Sequence, residues 1–196
     1  MKAKTRIAVL VSGGGTNLQA LIDAERRGEL PDGELCLVVG SREGIYALER
    51  AGRAGIETAV VRKDEVRLRE LLQEKGIELV ILAGYLTILS EEFTRSYANR
   101  IINIHPSLIP SFCGKGFYGK KVHEAALRYG VKVSGATVHL VNEVPDGGRI
   151  LMQKAVEVLE GDTPETLQRR VMEEAEWKLL PQAAELMSRA LREGRA

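Results

Sequence analysis

The sequence predicts an α/β fold: a Rossmann-like, mostly parallel twisted sheet with helices on both faces and antiparallel strands toward the C-terminal part. Two observations support this prediction. Short apolar runs alternate with helical segments through the first hundred residues, which is the pattern of a parallel sheet covered by helices. After Val133, two strand patterns follow one another with no helical pattern between them, which is typical of an antiparallel pair.

The predicted strands are short apolar or alternating runs bounded by glycine and polar turns. We predict them at 5–11, 35–39, 58–61, 79–82, 100–105, 133–141 and 150–158. The predicted helices carry apolar residues at spacings of three and four. We predict them at 18–28, 44–55, 64–75, 91–99, 122–130 and from 163 onward. In the last helix, Thr163 serves as the cap, and the helix is expected to kink or restart at Pro181.

Composition and charge argue against several classes of protein. Lysine and arginine number 28 against 27 acidic residues, so the net charge of +1 gives little support for attraction to nucleic acid or to an anionic membrane. The two cysteines lack metal-site or disulfide spacing. The apolar run at 7–11 is too short for a signal peptide or a membrane span. We therefore expect a cytoplasmic protein that needs no metal.

A glycine turn, residues 12–17, joins the first strand to the first helix and reads Ser-Gly-Gly-Gly-Thr-Asn. The unpaired N–H groups and the dipole at a helix N-terminus favour an anion there. No lysine follows the glycines, and the pattern G-x-G-x-x-G is not met. These facts favour a single phosphate over a nucleoside triphosphate or NAD. A tight turn without a ligand is the alternative.

The segment 83–90 follows the fourth strand and carries four large apolar side chains. These are Tyr85, Leu86, Ile88 and Leu89. A flat heterocycle can pack against such a surface. The alternative is a loop that folds back over the core.

Two polar side chains mark the end of the fifth strand. Alternation along a strand sends Asn103 and His105 to one face, and Ile102 and Ile104 to the other. Pro106 cannot donate to a sheet, so we expect the strand to end at His105. The imidazole then lies at the sheet edge where open α/β sheets bind their ligands.

Asp146 begins an Asp-Gly-Gly turn and completes a possible catalytic group with Asn103 and His105. An amide donor and an imidazolium can stabilise the oxyanion that forms when a carbonyl carbon becomes tetrahedral. A carboxylate near His105 is expected to raise the imidazole pKa and to help move a proton through water. Ser107 follows His105 too closely to be aimed at it as a nucleophile. Direct transfer of an acyl group to an amine is therefore favoured over a covalent intermediate.

Other polar features are assigned less specific roles. His123 is expected to be an exposed histidine on a helix, and His139 is expected to be structural rather than catalytic. The segment 111–119 contains three glycines. It is consistent with either a mobile lid or a plain connector.

Three motifs together resemble a known family. The run from Asn103 to Pro110, Asn-Ile-His-Pro-Ser-Leu-Ile-Pro, resembles the signature of the folate-dependent formyltransferases. The Asp146 turn is similar to the catalytic aspartate loop of that family. The glycine turn resembles the branch of the family that acts on phosphoribosylglycinamide. The motifs occur in the expected order along the chain.

The resemblance implies that 10-formyltetrahydrofolate, a co-substrate, gives its formyl group to the amine of 5-phosphoribosylglycinamide in purine biosynthesis. It implies that Asn103 and His105 stabilise the oxyanion, while Asp146 orients His105 and assists proton removal. The substrate-binding residues that it implies are Gly15, Thr16, Asn17 and Glu176. The folate-binding residues that it implies are Leu86, Thr87, Ile88, Leu89, Asn103, Asn142, Glu143 and Val144.

We expect one formyltransferase domain at 1–196, with a phosphate-binding half at 1–100 and a catalytic and folate-binding half at 101–196. The expected partners are small-molecule substrates, without nucleic acid or membrane, and the chain is expected to be a monomer or a homodimer. One alternative is a hydrolase that passes the formyl group to water, although such relatives usually carry an N-terminal regulatory domain. Another is a non-catalytic phosphate-binding module, which leaves the three catalytic candidates unexplained.

Overall fold

Within residues 3–195, which this computed structural model describes, seven strands form one mixed sheet. They are β1 Thr5–Val11, β2 Gly33–Gly40, β3 Glu57–Val60, β4 Leu79–Leu82, β5 Ile101–His105, β6 Val133–Leu140 and β7 Ile150–Glu157. The order in the sheet is β3-β2-β1-β4-β5-β6-β7. The first five strands pair in parallel, and β6 and β7 are antiparallel. The predicted fold class is confirmed. The expected domain bounds also include residues 1, 2 and 196, which lie outside the described part.

Helices connect most of the strands. They are α1 Thr16–Arg26, α2 Tyr46–Arg53, α3 Glu65–Glu74, α4 Glu91–Ser96, α5 Lys120–Tyr129, α6 Pro164–Val171 and α7 Trp177–Glu193. The side chains of Asp64, Ser90 and Thr163 accept N–H groups of the first turns of α3, α4 and α6, which satisfies donors that a helix leaves unpaired. Among the helices of residues 3–195, none has the length and apolar character needed to cross a membrane.

The sheet is covered on both faces, because alternate residues of β1, an interior strand, enter different apolar layers. Ile7 and Val9 of β1 pack in a layer that includes Leu18 of α1 and Leu180 of α7. Leu10 of β1 packs in a second layer, with residues of α3 and α4. A strand buried on both faces reads as a continuous apolar run, as β1 does.

The helix does not restart at Pro181, which was one of the two outcomes predicted there. The helix changes earlier, at Met172–Glu176, where it widens into a π-helical turn. Pro181 lies inside α7, in its second turn. The neighbouring Leu180, Ala183 and Ala184 are buried in the core, and this packing outweighs the one hydrogen bond that proline cannot make.

Three strand ends meet at one edge of the sheet. β1, β4 and β5 are parallel neighbours, so their carboxyl ends at Val11, Leu82 and His105 lie at the same edge. The strand order runs outward from β1 through β2 to β3 on one side and through β4 to β5 on the other. Open α/β sheets bind ligands in the crevice at such a switch point. The glycine turn and the 83–90 segment both follow strands that end here.

Candidate active site

The carboxyl end of β5 presents the two polar side chains as predicted. β5 ends at His105. Ile102 and Ile104 pack in the apolar layer with α1 and α7, so Asn103 and His105 point to the opposite face. The imidazole is buried, and the amide is half-buried.

Asp146 brings the three catalytic candidates together. Its Oδ2 lies 3.5 Å from His105 Nδ1, and its Oδ1 lies 3.5 Å from Asn103 Nδ2. Oδ1 also lies 3.5 Å from Nε2 of His139, and the N–H of Gly114 donates to Oδ2 at 2.8 Å. Although these groups converge, no cluster of three or more His, Cys, Asp and Glu side chains within residues 3–195 is arranged to hold a metal ion.

The backbone explains why the turn reads Asp-Gly-Gly. Asp146 has a φ of 56°, in the left-handed region that aspartate and asparagine tolerate better than most residues. A Cβ on Gly148 would lie 1.8 Å from the carbonyl oxygen of Leu140, and one on Gly147 would lie 2.6 Å from Cγ1 of Val144. Both glycines are therefore needed for the turn to lie against the end of β6 and present the carboxylate.

Burial dominates the protonation of His105. Desolvation lowers the pKa of the imidazole. The Asp146 carboxylate and the Phe112 carbonyl both raise this pKa, but the effect of desolvation is larger. For Asp146, burial raises the carboxyl pKa, but two histidines and a backbone N–H lower it more, so its pKa is lowered overall. The predicted effect of Asp146 is confirmed, because its carboxylate raises the imidazole pKa. One carboxylate at 3.5 Å does not compensate for the lost solvation of the ring, so the pKa is lowered overall.

The 111–119 segment contacts both members of this pair through its backbone. The carbonyl oxygen of Phe112 lies 2.9 Å from His105 Nε2. A carbonyl can only accept, so Nε2 carries the hydrogen and donates it. The neutral ring therefore presents an unprotonated Nδ1 toward Asp146. Together with the Gly114 N–H on Asp146, this contact shows that the segment orients both side chains.

A cavity of about 110 Å³ opens beside Asn103, His139 and Asp146. The predicted folate-binding residues that line it are Thr87, Ile88, Leu89, Asn103, Asn142, Glu143 and Val144. Leu86 instead lines a neighbouring cavity of about 450 Å³, which Thr87 and Ile88 also border. Leu86 is 62% exposed and Ile88 is 66% exposed, whereas Leu89 is buried. The loop thus anchors one leucine in the core and leaves an apolar surface open beside the cavity.

Ser12 connects this loop to the glycine turn. Its Oγ accepts the N–H of Leu86 at 3.0 Å and receives a hydrogen bond from Ser41 Oγ at 2.9 Å. The loops after β1 and β4 are therefore held together at the switch point of the sheet.

The glycine turn leaves the N-terminus of α1 open. Gly15 has a φ of 74°, which glycine adopts without strain, and a Cβ there would lie 2.7 Å from Cβ of Ala47. α1 begins at Thr16, and none of the described side chains caps it. The N–H groups of its first turn are available to an anion.

The predicted substrate-binding residues lie together at this end of α1. Asn17 Nδ2 donates to Glu176 Oε2 at 2.6 Å, and Thr16 Oγ1 lies 3.9 Å from Met172 Sδ. The π-helical turn thus faces the start of α1. Glu176 is 6% exposed. Burial raises its pKa to about 6, although the hydrogen bond from Asn17 opposes this rise.

Replacing Glu176 with glutamine tests the effect of this buried charge. The carboxyl pKa rises from 4.5 to about 6 in the folded chain, so native stability falls as the pH rises through this window. Above it, the cost is about 2 kcal/mol. Glutamine keeps an acceptor for Asn17 without the charge. We expect Glu176→Gln to raise the free energy of unfolding by about 2 kcal/mol near pH 8 and to leave it unchanged near pH 4, measured by urea denaturation.

The exposed Glu174 provides the matched control. Glu174→Gln should follow the pH dependence of the native chain. If Glu176→Gln also follows the native curve, Glu176 does not carry the buried charge described above.

Two histidines differ from their expected surroundings. His123 is fully buried rather than exposed, and burial lowers its pKa to about 4. That prediction is wrong, because α5 buries the face that carries Val122, His123 and Ala126. His139 pairs with Asn103 across β5 and β6, and its Nε2 lies 3.1 Å from Asn103 Nδ2. It therefore lies in the site, and strand pairing was the signal that could have placed it there.

The sequence is similar to proteins of purine biosynthesis. Residues 5–184 match the formyl transferase family. The chain is 42% identical over 193 residues to the trifunctional purine biosynthetic protein adenosine-3 of Gallus gallus. The aligned region covers 94% of this chain but only 18% of the length of that protein. It is 38% identical over 184 residues to the phosphoribosylglycinamide formyltransferase of Haemophilus influenzae, covering 90% of this chain and 84% of that one.

The fold is similar to solved structures of the same kind. The chain aligns with glycinamide ribonucleotide transformylase 1 from Symbiobacterium toebii with a TM-score of 0.89 and 42% identity, covering 95% of this chain and 89% of that one. These matches confirm the family resemblance in the motifs. This chain belongs to the formyl transferase family.

Proposed function

We propose that this chain transfers the formyl group of 10-formyltetrahydrofolate to the amine of 5-phosphoribosylglycinamide, giving N-formyl-phosphoribosylglycinamide and tetrahydrofolate, a step of purine biosynthesis. The observation that carries the proposal is the convergence of Asn103, His105 and Asp146 at 3.5 Å separations beside a cavity. The similarity to the transformylase structure and to the Haemophilus influenzae enzyme supports the choice of substrate.

The proposed reaction is a direct transfer. The amine nitrogen attacks the formyl carbon, and the carbonyl electron pair moves to the oxygen, which becomes an oxyanion. The amine loses its proton, the bond from the formyl carbon to the folate nitrogen breaks, and that nitrogen takes up a proton. A formamide and tetrahydrofolate result.

Asn103 and His105 stabilise the oxyanion in this proposal. Asn103 Nδ2 lies 3.1 Å from His139 Nε2 and 3.5 Å from Asp146 Oδ1. The contact with His139 holds the amide in place, and the N–H that makes the longer contact with Asp146 turns to the oxyanion when the substrate is bound. His105 begins the reaction neutral, because burial lowers its pKa. Its Nδ1 can take up the proton that the amine loses. The resulting imidazolium carries its new N–H on the side of Asp146, whose carboxylate stabilises the charge, and the positive ring stabilises the nearby oxyanion.

Asp146 has two tasks in the proposed reaction. It orients His105 and assists removal of the amine proton. Its pKa is lowered overall, so it stays ionised at neutral pH and favours the charged form of the ring when the proton arrives.

Ligand binding is proposed to draw on both halves of one domain. The backbone of Gly15, Thr16 and Asn17 binds the ribose phosphate, and Glu176 binds the same substrate. The folate lies against residues 86–89 and the loop at 142–146. The phosphate-binding half at 1–100 and the catalytic and folate-binding half at 101–196 thus meet at the site. We also propose that 10-formyltetrahydrofolate acts without a metal, that the partners are small molecules, and that the chain is a monomer or a homodimer.

Release of tetrahydrofolate from 10-formyltetrahydrofolate tests the proposal. We expect release only when 5-phosphoribosylglycinamide is present, followed as the change in folate absorbance. Equal release without the amine would identify a hydrolase. If tetrahydrofolate is released neither with nor without the amine, the chain is neither a formyltransferase nor a hydrolase. The result would then favour a non-catalytic phosphate-binding module.

A further inference from the structure

Two carbonyl groups of the glycine turn point at α2. The N–H of Ala47 donates to the carbonyl of Gly13 at 3.2 Å. Nε of Arg50 donates to the carbonyl of Gly14 at 2.8 Å. In a planar trans peptide, a carbonyl and the N–H of the next residue point in opposite directions. The N–H groups of Gly14 and Gly15 are therefore directed away from α2.

We propose that Arg50 is a positioning residue for phosphate binding: by holding the Gly14 carbonyl, it directs the Gly15 N–H at the phosphate of the substrate. This inference rests on the proposed function, which supplies the phosphate. Successive N–H groups that face one side form a concave anion site. Here they extend the open first turn of α1, which starts at Thr16.

The guanidinium of Arg50 is itself held in place. Its Nη1 donates to Oε1 of Gln19 at 2.9 Å, and its central carbon lies 4.8 Å from the centre of the Tyr46 ring. Gln19 in turn donates to Asp23 at 2.9 Å. A planar guanidinium held by a hydrogen bond and by an aromatic face keeps its Nε–H in one direction. The Gly14 peptide is therefore fixed before a ligand arrives.

Arg53 lies one turn further along α2 and provides a matched control. Its guanidinium also lies over the Tyr46 ring, at 5.6 Å, and it donates to the Tyr46 hydroxyl and to Glu49. These partners all belong to α2. Replacing Arg53 thus removes the same charge and a similar ring contact without changing the glycine turn.

The experiment compares the native chain with Arg50→Ala, Arg50→Lys and Arg53→Ala. The dissociation constant of ribose 5-phosphate, measured by calorimetry, reports on phosphate binding without catalysis. Steady-state kinetics are measured with 5-phosphoribosylglycinamide and with the same amine lacking the phosphate. The ratio of kcat/KM for the two amines reports how much the enzyme gains from the phosphate.

We expect Arg50→Ala to weaken ribose 5-phosphate binding, and to raise the KM of the phosphorylated amine, by about 10-fold. The kcat and the kcat/KM for the amine without phosphate should stay at native values. Arg50→Lys should give an intermediate effect, because an ammonium can donate to Gly14 but lacks the planar fork that also holds Gln19. Arg53→Ala should match the native chain.

Native phosphate affinity in Arg50→Ala would overturn the inference and leave the proposed function intact. Equal losses with both amines, or the same loss in Arg53→Ala, would also overturn it, because they would indicate general damage to α2. If Arg50→Ala weakens ribose 5-phosphate binding but the native chain transfers no formyl group, the proposed function fails and the role of Arg50 stands.

Discussion

The Asp146→Asn variant is expected to turn over about 10²-fold or more slowly than the native chain. Asparagine has nearly the same shape and tolerates the φ of 56° at this position, so the loop should keep its conformation. What is lost is the negative charge that lies 3.5 Å from His105 Nδ1. Without it, the imidazolium that forms as the amine loses its proton is no longer stabilised. The kcat from steady-state kinetics with both substrates saturating measures the loss.

Glu160→Gln is the control for this variant, because Glu160 is exposed in the turn that follows β7. It should keep native kcat and native stability. An Asp146→Asn enzyme within about 3-fold of native kcat would remove Asp146 from the proposed mechanism.

The Asn103→Leu variant is expected to lose about 10²- to 10³-fold in kcat, the usual effect of removing one oxyanion donor. Leucine fills nearly the same volume but has no N–H, so His139 Nε2 loses the donor that lies 3.1 Å away. Tetrahydrofolate has no formyl oxygen. Its dissociation constant should therefore change much less than kcat.

Kinetics and calorimetry on the same preparation separate these effects. A loss in kcat with nearly unchanged tetrahydrofolate binding supports an oxyanion donor. Equal losses in both would assign Asn103 to folate binding alone, and unchanged kcat would exclude it from catalysis.

The sequence was sufficient to predict a mostly parallel sheet with antiparallel strands toward the C-terminal part, and the direction of the β5 side chains. Period-two alternation places Asn103 and His105 on one face, and Pro106 ends the strand, because both rules act locally. The position of Asp146 relative to His105 was not predictable from spacing, since a turn 41 residues later must fold against β6 to bring them within 3.5 Å.

Other features depend on packing that a local pattern does not contain. His123 borders the apolar stripe of α5, and the spacing of apolar residues in this helix predicted that it is exposed. It is buried because of the elements packed against α5, which the local spacing does not describe. The contacts of Phe112 and Gly114 with the catalytic pair use backbone atoms, which carry no residue-specific signal. The helix continues through Pro181 because α7 is buried against the sheet.

The fate of the formyl carbon tests the central claim most directly. The native chain is incubated with 10-formyltetrahydrofolate labelled at that carbon and with 5-phosphoribosylglycinamide, and the products are separated by mass spectrometry. We predict that the label appears in the formamide of the phosphoribosyl product, in an amount equal to the tetrahydrofolate formed. Recovery of the label as free formate, with the amine unchanged, would contradict formyl transfer to this substrate.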